Sequence, residues 1–211
     1  MIIKTLSVAP IGTNCYIVGC EKTKEAIIID PGGEADRILE RIDQEGLSLK
    51  YIINTHAHFD HVGAVPDITK QRNVPFLLHK GDEPFIEPAA FSQSLQMFGM
   101  PEMIPPTVDE FIDPNKTYTF GEVSFTILET PGHSPGGVCF LFENDLFVGD
   151  TLFAGSIART DLPGGSMEIL MESIRSKIMP LADSINVHCG HMGPTTVGRE
   201  REFNPFKSYW E

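Results

Sequence analysis

The segment Thr55-His56-Ala57-His58-Phe59-Asp60-His61 places three imidazoles and a carboxylate within seven residues, directly after an apolar run that reads as a strand. In extended backbone, residues two apart share a face, so His56 and His58 can grip one ion together. Asp60 and His61 are adjacent and diverge unless the chain turns; if it turns, both can serve a second ion. Neutral imidazole and carboxylate are the usual ligands of Zn²⁺ and also suit Fe or Mn. Three later segments supply what this cluster lacks. Thr130-Pro131-Gly132-His133 ends a strand in a tight turn that presents one imidazole. Leu146-Phe147-Val148-Gly149-Asp150 is an apolar run ending in a carboxylate whose two oxygens suit a bridge between cations, and Cys189-Gly190-His191 again ends in an imidazole. Two cations roughly 3.5–4 Å apart can share a hydroxide, because metal binding lowers the pKa of water from ~15.7 to ~7. Such a hydroxide is a nucleophile, so no Ser or Cys triad is required. A cation beside the reacting group stabilises the negative charge that develops on an oxyanion or leaving group, so hydrolysis is the expected chemistry.

The elements that must hold these groups follow from the apolar pattern. Strands are expected at Ile2–Ser7, Asn14–Val18, Ala26–Ile29, Lys50–Asn54 and Phe76–His79. Helices are expected over Ala35–Gln44, stopped by Gly46, and over Val62–Arg72. From Gly81 to Thr107 the chain holds five of its sixteen prolines together with Met97, Phe98, Met100 and Met103. It reads as a short helix inside a long loop, either a wall beside the site or ordinary packing. Strands resume at Thr117–Phe120, Val123–Glu129, Gly137–Glu143 and Leu146–Val148. A helix follows near Met167–Met179, then a strand at Ser184–His188 and a short tail. Strands in both halves separated by single helices suit two packed sheets with helices outside.

The chain has 211 residues, 16 basic and 29 acidic, for a formal charge of −13. That length suits one domain spanning 1–211. The charge argues against nucleic acid and anionic membranes as partners. The densest basic run, Gly198-Arg199-Glu200-Arg201-Glu202, reads as neutralised by its own glutamates. No signal-like segment and no run of ~18–20 apolar residues is present, so no membrane partner is expected. Cys15, Cys20, Cys139 and Cys189 lack CxxC spacing and read as small buried hydrophobes, which makes a cytoplasmic protein the expectation.

The order His56-x-His58-x-Asp60-His61, His133, Asp150, His191 resembles the metallo-β-lactamase superfamily. Asp30-Pro31-Gly32-Gly33, Thr130-Pro131-Gly132-His133-Ser134-Pro135-Gly136, Gly149-Asp150-Thr151-Leu152-Phe153 and Asn204-Pro205-Phe206 are similar to its glyoxalase II-like branch. The resemblance implies a four-layer α/β fold, an αββα sandwich of two mixed sheets. It implies two divalent ions, Zn²⁺ first and Fe or Mn as alternatives. His56, His58 and His133 would hold one, and Asp60, His61 and His191 the other, with Asp150 bridging. Asp60 and Asp150 are then also the candidate catalytic carboxylates, and Asp30 orients the ligand loop. About twenty residues follow His191, which implies a short form without the C-terminal helical domain that grips glutathione. Arg159 falls where the family binds a substrate carboxylate, whereas Asp161 replaces a tyrosine and Met192 replaces a glycine after the last ligand. The implied substrate is a small-molecule thioester, of the hydroxyacylglutathione kind, and the implied assembly a monomer or small homo-oligomer. A mononuclear-iron persulfide dioxygenase using the positions of His56, His133 and Asp150, or a lactonase, is the alternative the same motifs allow.

Overall fold

The computed structural model describes residues 1–210. It divides into two compact units, residues 1–112 with 119–123, and residues 113–118 with the chain from 124 onward.

The first unit is built on a six-stranded mixed sheet. Its strands are β1 (Ile2–Val8), β2 (Thr13–Gly19), β3 (Glu25–Ile29), β4 (Ser48–Ile53), β5 (Phe76–Leu78) and β6 (Glu110–Phe111), in that spatial order. The first two pairings are antiparallel and the last three parallel. Helix α1 (Ala35–Gln44) buries Ala35, Ile38, Leu39 and Ile42, the i, i+3, i+4, i+7 stripe that the pattern predicts. These side chains pack with Ile17, Ile28, Ile52 and Phe76 in one core cluster. Truncating one such Ile to Ala costs about 2–5 kcal/mol.

The expected helix over Val62–Arg72 is two pieces, α2 (Phe59–Val62) and α3 (Val65–Arg72). Pro66 carries no N–H and its ring would strike the Val62 carbonyl, so the first turn cannot run on. The Met- and Pro-rich stretch holds more helix than expected, α4 (Glu83–Ile86) and α5 (Pro88–Met97), each opening on a proline in its first turn.

The second sheet also has six strands, β7 (Thr117–Phe120), β8 (Val123–Glu129), β9 (Val138–Leu141), β10 (Asp145–Gly149), β13 (Asn186–Cys189) and β14 (Thr195–Thr196), in the order β14-β13-β10-β9-β8-β7. A separate hairpin pairs β11 (Leu152–Phe153) with β12 (Ser156–Ile157). Helix α6 (Met167–Ser173) is capped by Ser166 and loosens into a π turn over Ile174–Ile178, where one regular helix was expected. What reads as a short tail contains α7 (Val197–Phe203), capped by Thr196. The second core gathers Leu146, Val148, Leu170, Ile174, Ile178, Val187 and Val197. Two mixed sheets with helices give the α/β class that the alternating pattern implies. Among the described residues no helix is long and apolar enough to cross a membrane. All four cysteines are buried and unbridged.

Candidate metal centre

In the first unit, β3 and β4 run parallel as neighbours, so their C-terminal ends lie side by side. Asp30 leaves β3 and the Asn54–His61 loop leaves β4, which is why a carboxylate meets imidazoles there. Asp30 is 1 % exposed. Its Oδ1 accepts from the Thr55 backbone N–H at 2.8 Å, and its Oδ2 accepts from the Thr55 hydroxyl at 2.6 Å. The same Oδ2 lies 3.0 Å from His61 Nδ1. Facing an ionised carboxylate, that nitrogen must carry the proton. The Thr55 hydroxyl spends its one proton on Asp30, so toward His56 Nδ1, 3.0 Å away, it can only accept. One carboxylate thereby fixes both imidazoles as Nδ1–H tautomers and leaves the lone pair of each on Nε2. The donor atoms of Asp30, His56 and His61 all fall within 4.8 Å of one another. Asp30's oxygens are already engaged by protons, so it orients rather than ligates.

The short α2 turn resolves the divergence of Asp60 and His61. The N–H groups of His61 and Val62 both close on the His58 carbonyl, and His61 Nε2 ends 3.4 Å from Asp60 Oδ2. His56 and His58 sit edge to face with centroids 4.7 Å apart, on one side of the extended strand end as their spacing predicts. Phe85 flanks the His58 ring at 6.0 Å, and Phe98 flanks Phe59 at 5.3 Å. The Met- and Pro-rich stretch thus reaches the ligand loop through Phe85 and Phe98, while Met97 is an exposed side chain and Met103 packs against the core.

Three further residues pin this loop. Asp82 is fully buried and accepts from the Ala57 N–H at 3.0 Å; Asn54 donates to the His61 carbonyl at 2.7 Å; Thr13 donates to Asp60 Oδ2 at 2.8 Å. Sequence reasoning missed all three. Thr13 and Asn54 at strand ends were weak signals, and Asp82, far along the chain in a polar stretch, gave none. Gly32 is where the Asp30 loop touches α2: a Cβ there would stand 1.6 Å from the Asp60 carbonyl oxygen.

In the second unit β10 and β13 are parallel neighbours, with Gly149 opposite Cys189. Their next residues therefore emerge together, and Asp150 Oδ2 lies 3.5 Å from His191 Nε2. β8 is antiparallel to β9, which is antiparallel to β10, so the loop after β8 opens on the same edge and brings His133 Nε2 to 3.8 Å from the same Asp150 oxygen. His133 Nδ1 lies 2.8 Å from the Arg159 carbonyl, an acceptor only, so this ring too is an Nδ1–H tautomer.

Neutral His61 and His133 each direct an Nε2 lone pair toward a carboxylate oxygen. Two electron-rich atoms at 3.4–3.8 Å repel unless a positive charge lies between them. His61 is fully buried, where an imidazolium costs desolvation, so a divalent cation is the partner that satisfies nitrogen and oxygen together. The donor set fits a metal.

The Arg159 guanidinium grips Asp161 bidentately, Nε to Oδ1 and Nη2 to Oδ2, both at 2.7 Å, and this holds the Asp161 carboxyl down at about 2. The Arg159 side chain is 53 % exposed. His188 pairs with Asp145 at 2.7 Å and stacks on Phe147, a structural position, and His79 Nδ1 caps a turn by accepting from the Gly81 N–H. Met192 holds φ +65°, so the left-handed backbone expected of a glycine is kept with a longer side chain in place.

The family model for the Metallo-beta-lactamase superfamily matches residues 8–191. The chain is 37 % identical over 214 residues to a Haemophilus influenzae protein named hydroxyacylglutathione hydrolase GloC, with 98 % of each covered. Among solved structures, the BLEG-1 B3 metallo-beta-lactamase superposes with a TM-score of 0.91 at 39 % identity, covering 98 % of this chain and all of that one. TTHA1623, solved in a di-iron-bound form, gives 0.87 at 35 % identity, with 96 % and 99 % covered.

Proposed function

Because the chain belongs to the metallo-β-lactamase superfamily, with metallo-hydrolases among its relatives, we propose that it is a binuclear metal-dependent hydrolase of thioesters. The observation that carries this is the convergence of imidazole Nε2 atoms on carboxylate oxygens, at His61 with Asp60 and at His133 and His191 with Asp150, the His61 and His133 atoms being lone pairs. His56, His58 and His133 hold one ion, and Asp60, His61 and His191 a second. Asp150 serves both. Its Oδ2 faces one imidazole from each set, which supports the shared role.

A bound divalent pair supplies Lewis acidity toward a carbonyl and lowers the pKa of water to ~7. The chain's own part is orientation. Asp30 and the Arg159 carbonyl hold three rings in one tautomer, and Asp60 and Asp150 offset the cationic charge, leaving a net positive field for an oxyanion or thiolate. Zn²⁺ suits this nitrogen- and oxygen-rich set, and so do Fe and Mn. The thioester substrate is drawn from the name of the Haemophilus relative. In this chain a substrate carboxylate must displace Asp161 to reach the Arg159 fork.

The test is metal content per chain, followed by hydrolysis of one acyl group carried on glutathione and on a thiol without carboxylates. Hydrolysis of at least one thioester that requires bound metal is the expected result. Arg159→Ala should raise KM on the glutathione ester roughly ten- to a hundredfold, with kcat little changed. A fully loaded enzyme that cleaves neither thioester, or that instead consumes oxygen on glutathione persulfide, refutes the proposal.

A further inference from the structure

We infer that Glu200 is a positioning residue for the ligand-bearing segments of the second unit, acting through a buried hydrogen-bond brace. The inference rests on the metal-site reading above. Within the Arg199-Glu200-Arg201 run the sequence suggests mutual neutralisation at the surface. The structure separates these side chains instead. Arg201 turns to the carbonyls of Met179 and Leu181, and Glu200 turns inward to 1 % exposure.

A carboxylate buried that deeply is tolerated only if its oxygens are met by donors. Glu200 has three. Oε2 accepts from the Gly155 N–H at 2.8 Å and from Asn204 Nδ2 at 2.7 Å; Oε1 accepts from the Thr195 hydroxyl at 2.5 Å. Asn204 Nδ2 also reaches the Ser156 carbonyl at 3.1 Å, so the turn of the β11–β12 hairpin is held through both its N–H and its C=O.

The identity of the three partners is what gives the brace its reach. One arm of the hairpin begins two residues after Asp150. The other leads through Ala158 to Arg159, whose carbonyl fixes the His133 tautomer. Thr195 opens β14, which pairs with β13, the strand that ends just before His191. A single carboxylate on α7 therefore ties down the turn between Asp150 and the His133 orienter, and the strand beside His191. Gly155, at φ +75°, lets the hairpin turn its N–H toward α7. None of these groups touches a proposed substrate position, so the role is alignment and not chemistry.

The brace predicts which variants matter. Glu200→Gln keeps an oxygen for Gly155 and Asn204 and places an NH₂ against the Thr195 hydroxyl, which can rotate to accept; the brace should survive. Glu200→Ala removes it. The first readout is the apo protein's His133 Nδ1–H resonance, assigned by its loss in His133→Ala. It should be sharp in the wild type and in Glu200→Gln, and exchange-broadened in Glu200→Ala. The second is Zn²⁺ affinity by competition with a chromophoric chelator, which should fall about tenfold in Glu200→Ala, the lower end for an orienting partner. Arg201→Ala, on the same helix and with no bond to the hairpin, controls for a general loss of stability and should leave both readouts unchanged. Should Glu200→Ala not fold, Asn204→Ala removes one donor and the Ser156 contact and must shift the same resonance. A Glu200→Ala protein that keeps the His133 resonance and binds Zn²⁺ within twofold of the Arg201→Ala control overturns the inference. If His133→Ala leaves Zn²⁺ affinity untouched, the ligand assignment is what fails, and the resonance still decides the brace.

Discussion

Replacing Asp30 by Asn tests whether one carboxylate sets the tautomers of two imidazoles. The substitution is nearly isosteric, and Asn tolerates the φ of +52° found there better than other non-glycine residues. It can keep Oδ1 as acceptor for the Thr55 N–H at 2.8 Å. At the Oδ2 position it sets an NH₂ against two groups that now donate, the Thr55 hydroxyl at 2.6 Å and His61 Nδ1 at 3.0 Å. The conflict is relieved when His61 moves its proton to Nε2 and Thr55 turns its hydroxyl toward His56, which then does the same. Both rings would present a proton where the metal needs a lone pair. Losing one charge-assisted hydrogen bond is worth about 1.5–3 kcal/mol, which at 1.36 kcal/mol per decade is roughly 10- to 150-fold in Zn²⁺ affinity. Apo stability in urea should move by less than about 1 kcal/mol, since a buried charge is removed along with its bonds. Asp30→Ala should instead lose about 2–4 kcal/mol, because it strands the Thr55 donors and replaces Asp, which tolerates a positive φ through its polar side chain, by Ala, which does not. Chelator competition on the apo protein and ¹⁵N imidazole spectra measure both effects. Wild-type Zn²⁺ affinity within twofold, with Nδ1–H retained on His61, would refute the tautomer argument.

Gly32→Ala forces a Cβ to within 1.6 Å of the Asp60 carbonyl; a loss above about 3 kcal/mol, or failure to fold, is expected by urea denaturation, and a neutral effect would mean the two loops are not in contact. Met192→Gly should stabilise by about 0.5–1 kcal/mol, since the left-handed penalty outweighs the added chain entropy and the side chain is 60 % exposed. A lower melting temperature would contradict it. Hydrogen bonds from the Thr23 side chain and from the backbone bring the Cys20 thiol down from 9.0 to about 7. With the folded value below the unfolded one, its contribution to stability is fully present above about pH 9 and is lost as pH falls through about 7. The thiolate absorbance step near pH 7 should vanish in Cys20→Ser and move upward in Thr23→Val, whereas Cys189, pushed up to about 12 by burial, stays protonated throughout.

The grouping of the candidate ligands was legible in the sequence because ligand type and spacing are local properties. His56 and His58 share a face by strand period, and Asp150 and His191 are polar residues stopping apolar strands. The bounds of α1 were legible for the same reason, a clean helical stripe closed by Gly46. What failed was of three kinds. Two-residue strands such as β11, β12 and β14 are shorter than any period that could announce them. Helix α7 was hidden because its run of alternating charges looks solvated on every face, although Val197 and Glu200 are buried. Thr13 and Asn54 gave only weak signals and Asp82 and the buried Glu200 none, since what each does depends on which carbonyl, hydroxyl or N–H the fold delivers to it.

Asp30 and Asp150 make that limit concrete. Each is a lone carboxylate leaving an apolar strand, and each strand lies parallel to the one that delivers a histidine. By pattern the two positions are equivalent. Their surroundings separate them. Asp30 meets an N–H, an O–H and an imidazole proton, so its charge is spent on holding donors and it has little left to give a cation. Asp150 turns one oxygen toward the Nε2 atoms of His133 and His191, and for His133 that atom is a lone pair because the Arg159 carbonyl holds its proton on the far side of the ring. The proposed division, Asp30 orienting and Asp150 ligating, therefore rests on proton bookkeeping on the neighbouring rings. For His133 the acceptor is a backbone carbonyl, contributed by a residue whose side chain points elsewhere.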